Sequence, residues 1–472
     1  MLHNPPRLPP VGHLLTTYRR HVRQVTAQFA TCVALYATTQ VETDCDGDMR
    51  TTTTRAEHLS ELDKALPSEA DGLSVQEFLA TRPRLSSFST PVLTLDDSAI
   101  DQNLSAMAAW CADNGIDLAP HGKTTMSPTL WERQLRAGAT AITLATFSQV
   151  RVAVHFGVRR ILLANALVDP GALRWLVQHM TDDPELHVVA WADSTATVDA
   201  MTAALADVPV AQPVPVLVEL GASGGRTGAR SVDDAMVVAE RIAACGVLRL
   251  AGVAGYEGAL AHDASEPSLA RVRAYLQEMA RLHRTITDRG LYDPTIDVIV
   301  TAGGSAYFDV VAEVLAPLAG PRVRVVVRAG AYVIHDDGFY TGITPFGRTP
   351  GGYRLRSAMH AWARVVSRPE PELALLDAGK RDVPFDEGLP VPQLVAAQLG
   401  APARPLTGTQ ITAVNDQHAF LALPADSDVK VGDVVRLGLS HPCTAFDKWR
   451  WIPLLNGNGD DPHVVDMIRT YF

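Results

Sequence analysis

From Thr90 onward, short apolar runs alternate with longer segments in which apolar residues recur at helical spacing. After an opening run at 91–95 and one helical segment, eight strand-like runs follow, each with a helical segment behind it except the last. They lie at 116–119, 141–145, 160–164, 187–192, 215–220, 250–253, 296–300 and 323–327. Apolar strands alternating with amphipathic helices are typical of a parallel sheet covered by helices. Eight such units predict a (β/α)8 barrel of the TIM type, with an open doubly wound sheet as the alternative.

The same pattern divides the chain into three parts. Residues 1–70 are rich in Pro, Thr and Asp and show little periodicity, which predicts a poorly ordered N-terminal extension. The barrel pattern occupies 71–345. From 346 to 472, short β-rich runs are separated by Pro, Gly and Asp turns. We therefore predict a smaller, mostly β C-terminal domain after the barrel.

Composition narrows the functional classes. The 472 residues are 47% hydrophobic and 20% charged, which is enough apolar material for a sizeable core. A net charge of −11 argues against a nucleic-acid-binding or basic membrane-facing surface. No stretch offers the roughly 18 uninterrupted apolar residues of a membrane span. The five scattered cysteines include no CxxC pair, and no signal peptide is evident, so we expect a cytoplasmic protein with free thiols.

Barrel enzymes place their active-site groups at the C-terminal ends of the strands. The segments after the predicted strands carry several residues suited to chemistry. These are Lys123 after the first strand, Arg226 after the fifth, Tyr256 after the sixth, Gly303, Gly304 and Ser305 after the seventh, and Arg328 after the eighth. We predict that they share one site.

The TAGGS segment after the seventh strand is a candidate phosphate cradle. Its two glycines let backbone N–H groups approach an anion, and the N-terminus of the following helix adds partial positive charge. A simple turn with a helix cap is the alternative interpretation of the same residues.

Lys123 is distinguished by the rarity of its residue type, because the chain has only five lysines against 36 arginines. A lysine at a barrel mouth opposite a phosphate cradle suits a Schiff base with an aldehyde cofactor that carries a phosphate. Burial and nearby arginines would lower its pKa and make the amine nucleophilic. The alternative is a solvated loop lysine.

His441 and Cys443 form the second candidate site. On an extended segment, residues two apart point to the same face, so imidazole and thiolate could share one zinc ion. Two protein ligands suit an open catalytic metal rather than a closed structural one. A buried cysteine beside a packed histidine is the alternative.

Seven motifs carry a resemblance to a known family. In chain order they are PHGKTTMSP, GGRTG, AGYEG, TAGGS, RAGAYVIHDDG, DQH and HPCTAFDKW. Together they resemble the D-serine dehydratase-like proteins, also called amino acid deaminases. That family belongs to the fold-type III pyridoxal-phosphate (PLP) enzymes, with alanine racemase and D-threonine aldolase. The resemblance covers about residues 70–472.

The resemblance implies an alanine-racemase-like barrel with a C-terminal β domain, working as a homodimer. It implies that Lys123 carries PLP covalently and that His441 and Cys443 bind zinc. It also assigns seven further residues to the cofactor: Gly303, Gly304 and Ser305 to its phosphate, and Arg226, Tyr256, Arg328 and Tyr332 to its surroundings, with Tyr256 also a candidate catalytic residue.

The activity implied is β-elimination from a D-β-hydroxy amino acid such as D-serine, giving a 2-oxo acid and ammonia. Retro-aldol cleavage, as in D-threonine aldolases, is the nearest alternative. Those aldolases pair the histidine with a carboxylate, so Cys443 favours the dehydratase. A racemase is disfavoured by the HPC motif, and a non-catalytic PLP carrier would lack the C-terminal β domain.

Overall fold

The computed structural model describes residues 58–349 and 351–472. Most of the predicted N-terminal extension, residues 1–57, lies outside the described residues. The structure differs from the expectation for 58–70, because Leu59, Leu66 and Ala70 are buried in one apolar cluster with Trp362 of the C-terminal sheet. These few apolar side chains are widely spaced in the sequence, so they give no periodic signal.

Eight parallel strands form the predicted barrel sheet, which confirms the fold class. The first strand, β1 (Val92–Asp96), precedes the eight barrel strands in the sequence. They are β2 (Asp117–Leu118), β3 (Ile142–Leu144), β4 (Arg160–Ala166), β5 (His187–Ala192), β6 (Val214–Leu220), β7 (Leu248–Gly255), β8 (Val298–Ala302) and β9 (Val323–Val327). Their order is β2-β9-β8-β7-β6-β5-β4-β3. A parallel bridge between His121 and Thr143 joins the two ends of this curled sheet.

Helices cover the outside of the sheet. The α-helices are α1 (Val75–Ala80), α2 (Asp97–Asp113), α3 (Pro128–Arg136), α4 (Phe147–His155), α5 (Pro170–Asp182), α6 (Thr195–Ala204), α7 (Val232–Ala243), α8 (Glu266–Asp288), α9 (Phe308–Leu315), α10 (Phe339–Ile343) and α11 (Pro442–Phe446). Hydroxyl side chains after the strands start several of them, because Thr146, Ser194 and Ser231 each accept a backbone N–H of the first turn. No helix in the described ranges is both long and apolar enough to cross a membrane.

The C-terminal domain is a largely antiparallel sheet. Its strands are β10 (Met359–Glu370), β11 (Leu373–Leu376), β12 (Val391–Ala396), β13 (Arg404–Pro405), β14 (Gln410–Val414), β15 (Ala419–Ala422), β16 (Val434–Gly438), β17 (Trp451–Leu455) and β18 (Val464–Arg469). β1 also belongs to this sheet, pairing antiparallel with β10 and parallel with β17. The sequence placed this run with the barrel, because an apolar run does not reveal which sheet it joins.

Candidate active site

A cavity of about 330 Å³ lies at the C-terminal ends of the barrel strands. Nine of the ten residues predicted for the site line it: Lys123, Arg226, Tyr256, Gly303, Gly304, Ser305, Arg328, His441 and Cys443. The tenth, Tyr332, is buried in the core and its hydroxyl is hydrogen-bonded to Gln134. Small-molecule pockets occupy about 300–1,000 Å³, so the cavity is large enough for a small ligand.

Lys123 follows β2 on the short 3-10 turn Gly122–Thr124. Burial lowers the pKa of its amine, and the charges of Arg226 and Arg328 act in the same direction, while Cys443 opposes them. A larger fraction of the amine is therefore neutral and nucleophilic near physiological pH than for an exposed lysine.

His121 lines the cavity two residues before Lys123, and the sequence arguments did not single it out. Its Nδ1 is buried and has no hydrogen-bond partner in the described structure. Burial, with the charges of Lys123 and Arg328, holds the pKa of this imidazole well below its usual value. A neutral ring with an unpartnered buried nitrogen fits a cavity that takes a ligand.

Arg328 is fixed on the cavity wall by two hydrogen bonds and a ring contact. Its Nη1 donates to the Thr301 hydroxyl at 2.7 Å, and its Nη2 donates to the Gly255 carbonyl at 2.6 Å. The guanidinium carbon lies 4.9 Å from the centre of the Trp191 ring. This cation is therefore held at a defined position on one wall of the cavity.

Arg226 and Tyr256 stand together on another wall. The Arg226 guanidinium carbon lies 5.0 Å from the centre of the Tyr256 ring. Burial raises the pKa of Tyr256, and the charge of Glu257 adds to this effect. The phenol therefore keeps its proton near neutral pH and is a hydrogen-bond donor.

The glycine loop holds an anion, but that anion is a carboxylate of the protein. Backbone N–H groups of Gly303 and Gly304 donate to the two oxygens of Glu257 at 2.8 and 2.7 Å. Glu257 is fully buried. The sequence predicted that these N–H groups would face a ligand phosphate. It places Glu257 with Tyr256 after the sixth predicted strand, but it does not reveal the contact with the glycine loop, because a carboxylate in a loop carries no spacing signal. Ser305 also lines the cavity, and its hydroxyl accepts the Ala331 N–H at 3.2 Å.

His441 and Cys443 lie together at the start of α11. The His441 Nδ1 is 2.6 Å from Asp386 Oδ2, and the Thr444 hydroxyl donates to the other oxygen of Asp386 at 2.7 Å. A carboxylate on one imidazole nitrogen leaves Nε2 for a metal, which is the usual arrangement of a histidine ligand. Asp386 was not anticipated, since it lies 55 residues before His441.

Charge in this pair favours a thiolate. Burial raises the pKa of the Cys443 thiol, but His441, Thr124 and Lys123 outweigh it, and the pKa lies below its usual value. Burial lowers the pKa of His441, but Cys443 and Asp386 outweigh it and raise the pKa to about 9. A thiolate and a neutral imidazole are suitable zinc donors, and a metal bound at His441 would take the place of the proton that this raised pKa keeps on the ring. Among the residues that the structure describes, no group of three or more His, Cys, Asp or Glu side chains is placed to hold a metal ion, so His441 and Cys443 are the two candidate protein donors.

The two halves of the site meet directly. The Cys443 Sγ lies 3.5 Å from the hydroxyl oxygen of Thr124, which is next to Lys123 in the chain, and a thiolate there accepts the hydroxyl proton. The remaining lysines do not line the cavity, and the DQH motif at 416–418 lies exposed in the turn between β14 and β15. The structure thus brings the barrel-end lysine and the HPC segment to one cavity.

The chain is similar to several known proteins. Residues 358–455 match the family model described as "Putative serine dehydratase domain". The chain is 28% identical over 363 residues to a D-threonine aldolase of Arthrobacter sp., covering 76% of this chain and 86% of that protein. It is 27% identical over 254 residues to the D-threo-3-hydroxyaspartate dehydratase of Delftia sp. (strain HT23), covering 52% of this chain and 61% of that protein.

Solved structures show the same fold. A D-threonine aldolase from Filomicrobium marinum has a TM-score of 0.69 at 24% identity, covering 82% of this chain and 97% of that chain. A D-threo-3-hydroxyaspartate dehydratase variant in a metal-free form has a TM-score of 0.65 at 21% identity, covering 83% and 99%. Alanine racemase-like proteins also share the architecture. The resemblance to the fold-type III PLP enzymes and the alanine-racemase-like fold are thereby confirmed.

Proposed function

We propose that the protein is a PLP-dependent, zinc-assisted lyase that eliminates the β-hydroxyl of a D-3-hydroxy amino acid such as D-serine. The products are a 2-oxo acid and ammonia. One observation carries this proposal: Lys123 and the His441–Cys443 pair line the same cavity of about 330 Å³. Two relatives support the proposal, the D-threonine aldolase of Arthrobacter sp. and the D-threo-3-hydroxyaspartate dehydratase of Delftia sp. Both are lyases of D-amino acids that bear a 3-hydroxyl group.

The residues around the cavity fit PLP. Lys123 would hold the cofactor covalently, and the Ser305 hydroxyl would favour its phosphate end. Arg226, Tyr256 and Arg328 would lie around the ring, whereas Tyr332 is buried in the core and does not line the cavity. Bound PLP supplies an electron sink that makes the Cα–H bond of an attached amino acid acidic.

Lys123 has a second role in this proposal. When it is not attached to the cofactor, the Lys123 amine would be placed to accept the Cα proton of the substrate. A lysine whose pKa is lowered by burial and by two arginines is suited to general-base catalysis near neutral pH. The neighbouring Tyr256 phenol keeps its proton and serves as a hydrogen-bond donor at the cofactor.

His441 and Cys443 would hold zinc, with Asp386 orienting the imidazole. A zinc ion there supplies Lewis-acid character toward the β-hydroxyl oxygen, which is otherwise a poor leaving group. Two protein ligands leave coordination positions for substrate and water. The Thr124 hydroxyl, which contacts Cys443, keeps this donor close to the lysine turn.

Retro-aldol cleavage is the second candidate, and the D-threonine aldolase relative supports it. The two reactions need the same lysine and the same metal position. They differ in whether the Cα–H or the Cα–Cβ bond breaks. The homodimer and the cytoplasmic location expected from the sequence stay predictions.

The proposal is tested by incubating the PLP- and zinc-loaded protein with D-serine and measuring pyruvate and ammonia. We expect equal amounts of both products from D-serine. L-serine has the wrong configuration and D-alanine lacks the β-hydroxyl, so neither should yield them. If D-serine and D-threo-3-hydroxyaspartate both fail to yield ammonia, the proposed elimination is wrong.

A further inference from the structure

Asp336 is a fully buried carboxylate beneath the cavity, and it does not line it. Its Oδ1 accepts the backbone N–H groups of Gly338, Tyr340 and Thr341 at 3.1, 2.9 and 3.1 Å. Its other oxygen, Oδ2, accepts the backbone N–H of His441 at 3.0 Å. One side chain thus binds the segment that follows it and also His441, which lies 105 residues later in the chain.

Both segments present a side chain to the cavity. Tyr340, in the first turn of α10, lines the cavity, and so does His441. The His441 backbone is left-handed, with φ of 55°, which is unfavourable for a residue with a side chain. A hydrogen bond donated by its backbone N–H to a buried carboxylate is a direct means of holding His441 in this conformation, because such charge-assisted bonds are strong.

Two carboxylates act on different atoms of His441. Asp386 contacts the ring nitrogen Nδ1 at 2.6 Å and fixes the rotation of the imidazole. Asp336 contacts the backbone nitrogen and fixes the position from which the side chain starts. Cys443 follows two residues later on α11, so the same bond also sets where the thiol begins.

We propose that Asp336 is the positioning residue of the metal site, holding the His441 backbone so that its imidazole and the Cys443 thiol converge. The inference rests on the proposed function, since it assumes zinc at this pair. It adds a residue to the site that does not itself touch the cofactor, the metal or the substrate.

The substitution Asp336→Asn separates the contact of Asp336 with His441 from its contacts with the start of α10. The amide oxygen can take the place of Oδ1 and keep the three bonds to the start of α10. The amide NH2 group then faces the His441 N–H, so that donor meets donor. The hydrogen bond from the His441 N–H is lost, while those from the N–H groups at the start of α10 persist. We therefore expect the substitution to weaken zinc binding at His441 and Cys443.

The readout is the zinc dissociation constant of the PLP-loaded protein, measured by competition with a chromophoric chelator. Loss of a group that orients a metal ligand weakens metal binding by about 10–100-fold, and we expect a change of that size for Asp336→Asn. The absorbance of bound PLP should be unchanged, because Lys123 is not contacted by Asp336.

Asp96→Asn is the matched control. Asp96 is also a buried carboxylate, 2% exposed, and it accepts bonds from Ala99 N and the Asn458 side chain away from the cavity. The zinc affinity of the Asp96→Asn variant should equal that of the wild type. If Asp336→Asn does not fold, Asp336→Glu displaces the same oxygen while keeping the charge, and the same weakening is expected.

Three outcomes overturn the inference. Wild-type zinc affinity in Asp336→Asn, or in Asp336→Glu where that variant is used, shows that the bond does not position the ligand. Equal weakening in Asp96→Asn shows a general loss of stability. A wild-type protein that binds no zinc refutes the metal part of the proposed function, and this inference with it, whereas the first two outcomes leave the proposed function intact.

Discussion

Replacing Lys123 with alanine is expected to abolish the visible absorbance of lysine-bound PLP and to reduce turnover by at least about 10³-fold. The size follows from two losses, since the covalent attachment disappears and so does the general base, which alone contributes about 10²–10⁴-fold. Lys123 is the lysine that lines the cavity in the described residues, and burial with Arg226 and Arg328 lowers its pKa. Absorbance spectra and initial rates on D-serine measure both effects.

Lys448→Ala is the control for this variant. Lys448 lies in the HPCTAFDKW motif, but its amine pairs with Asp447 at 3.2 Å and does not line the cavity. It should keep the absorbance and the activity. Borohydride reduction followed by mass spectrometry should fix the cofactor on a Lys123 peptide, and a label on another lysine would contradict the assignment.

Replacing Cys443 with alanine is expected to leave PLP bound and to remove zinc together with most of the elimination activity. The thiolate is one of two protein donors, and the alternative of a merely packed cysteine predicts no such loss. A Lewis acid on a leaving oxygen contributes several kcal/mol, which corresponds to about 10²–10³-fold in rate. Metal analysis, the PLP spectrum and the rate with added zinc are the measurements.

Cys245→Ala serves as the matched control for the thiol. Cys245 is partly buried and lies 3.3 Å from the Thr202 hydroxyl, outside the cavity. Its removal should change neither the zinc content nor the rate. Full elimination activity in Cys443→Ala after chelation would show that the metal role is wrong.

The sequence predicted the barrel and most of the cavity, because both depend on local pattern. Strand-and-helix alternation follows from side-chain periodicity, and the active-site end of a barrel follows from strand direction. Residues placed directly after strands, such as Lys123, Arg226 and Arg328, therefore come together as expected. Tyr332 was named from a motif alone, and the structure places it in the core behind the cavity.

The contacts that the sequence does not predict all join segments that are distant in the chain. Asp386 and Asp336 reach His441 from 55 and 105 residues away, and neither lies in a pattern that marks its partner. Glu257 occupies the N–H groups of the glycine loop, a contact that no spacing rule reveals. In the same way, β1 joins the C-terminal sheet because of its pairing, which an apolar run does not disclose.

The identity of the bond that breaks is the central claim, and D-threonine tests it in a single reaction. With PLP and zinc present, elimination converts D-threonine to 2-oxobutanoate and ammonia, whereas retro-aldol cleavage gives glycine and acetaldehyde. We predict 2-oxobutanoate and ammonia in equal amounts, and loss of both after chelation. Glycine and acetaldehyde as the main products would contradict the account and identify the protein as an aldolase.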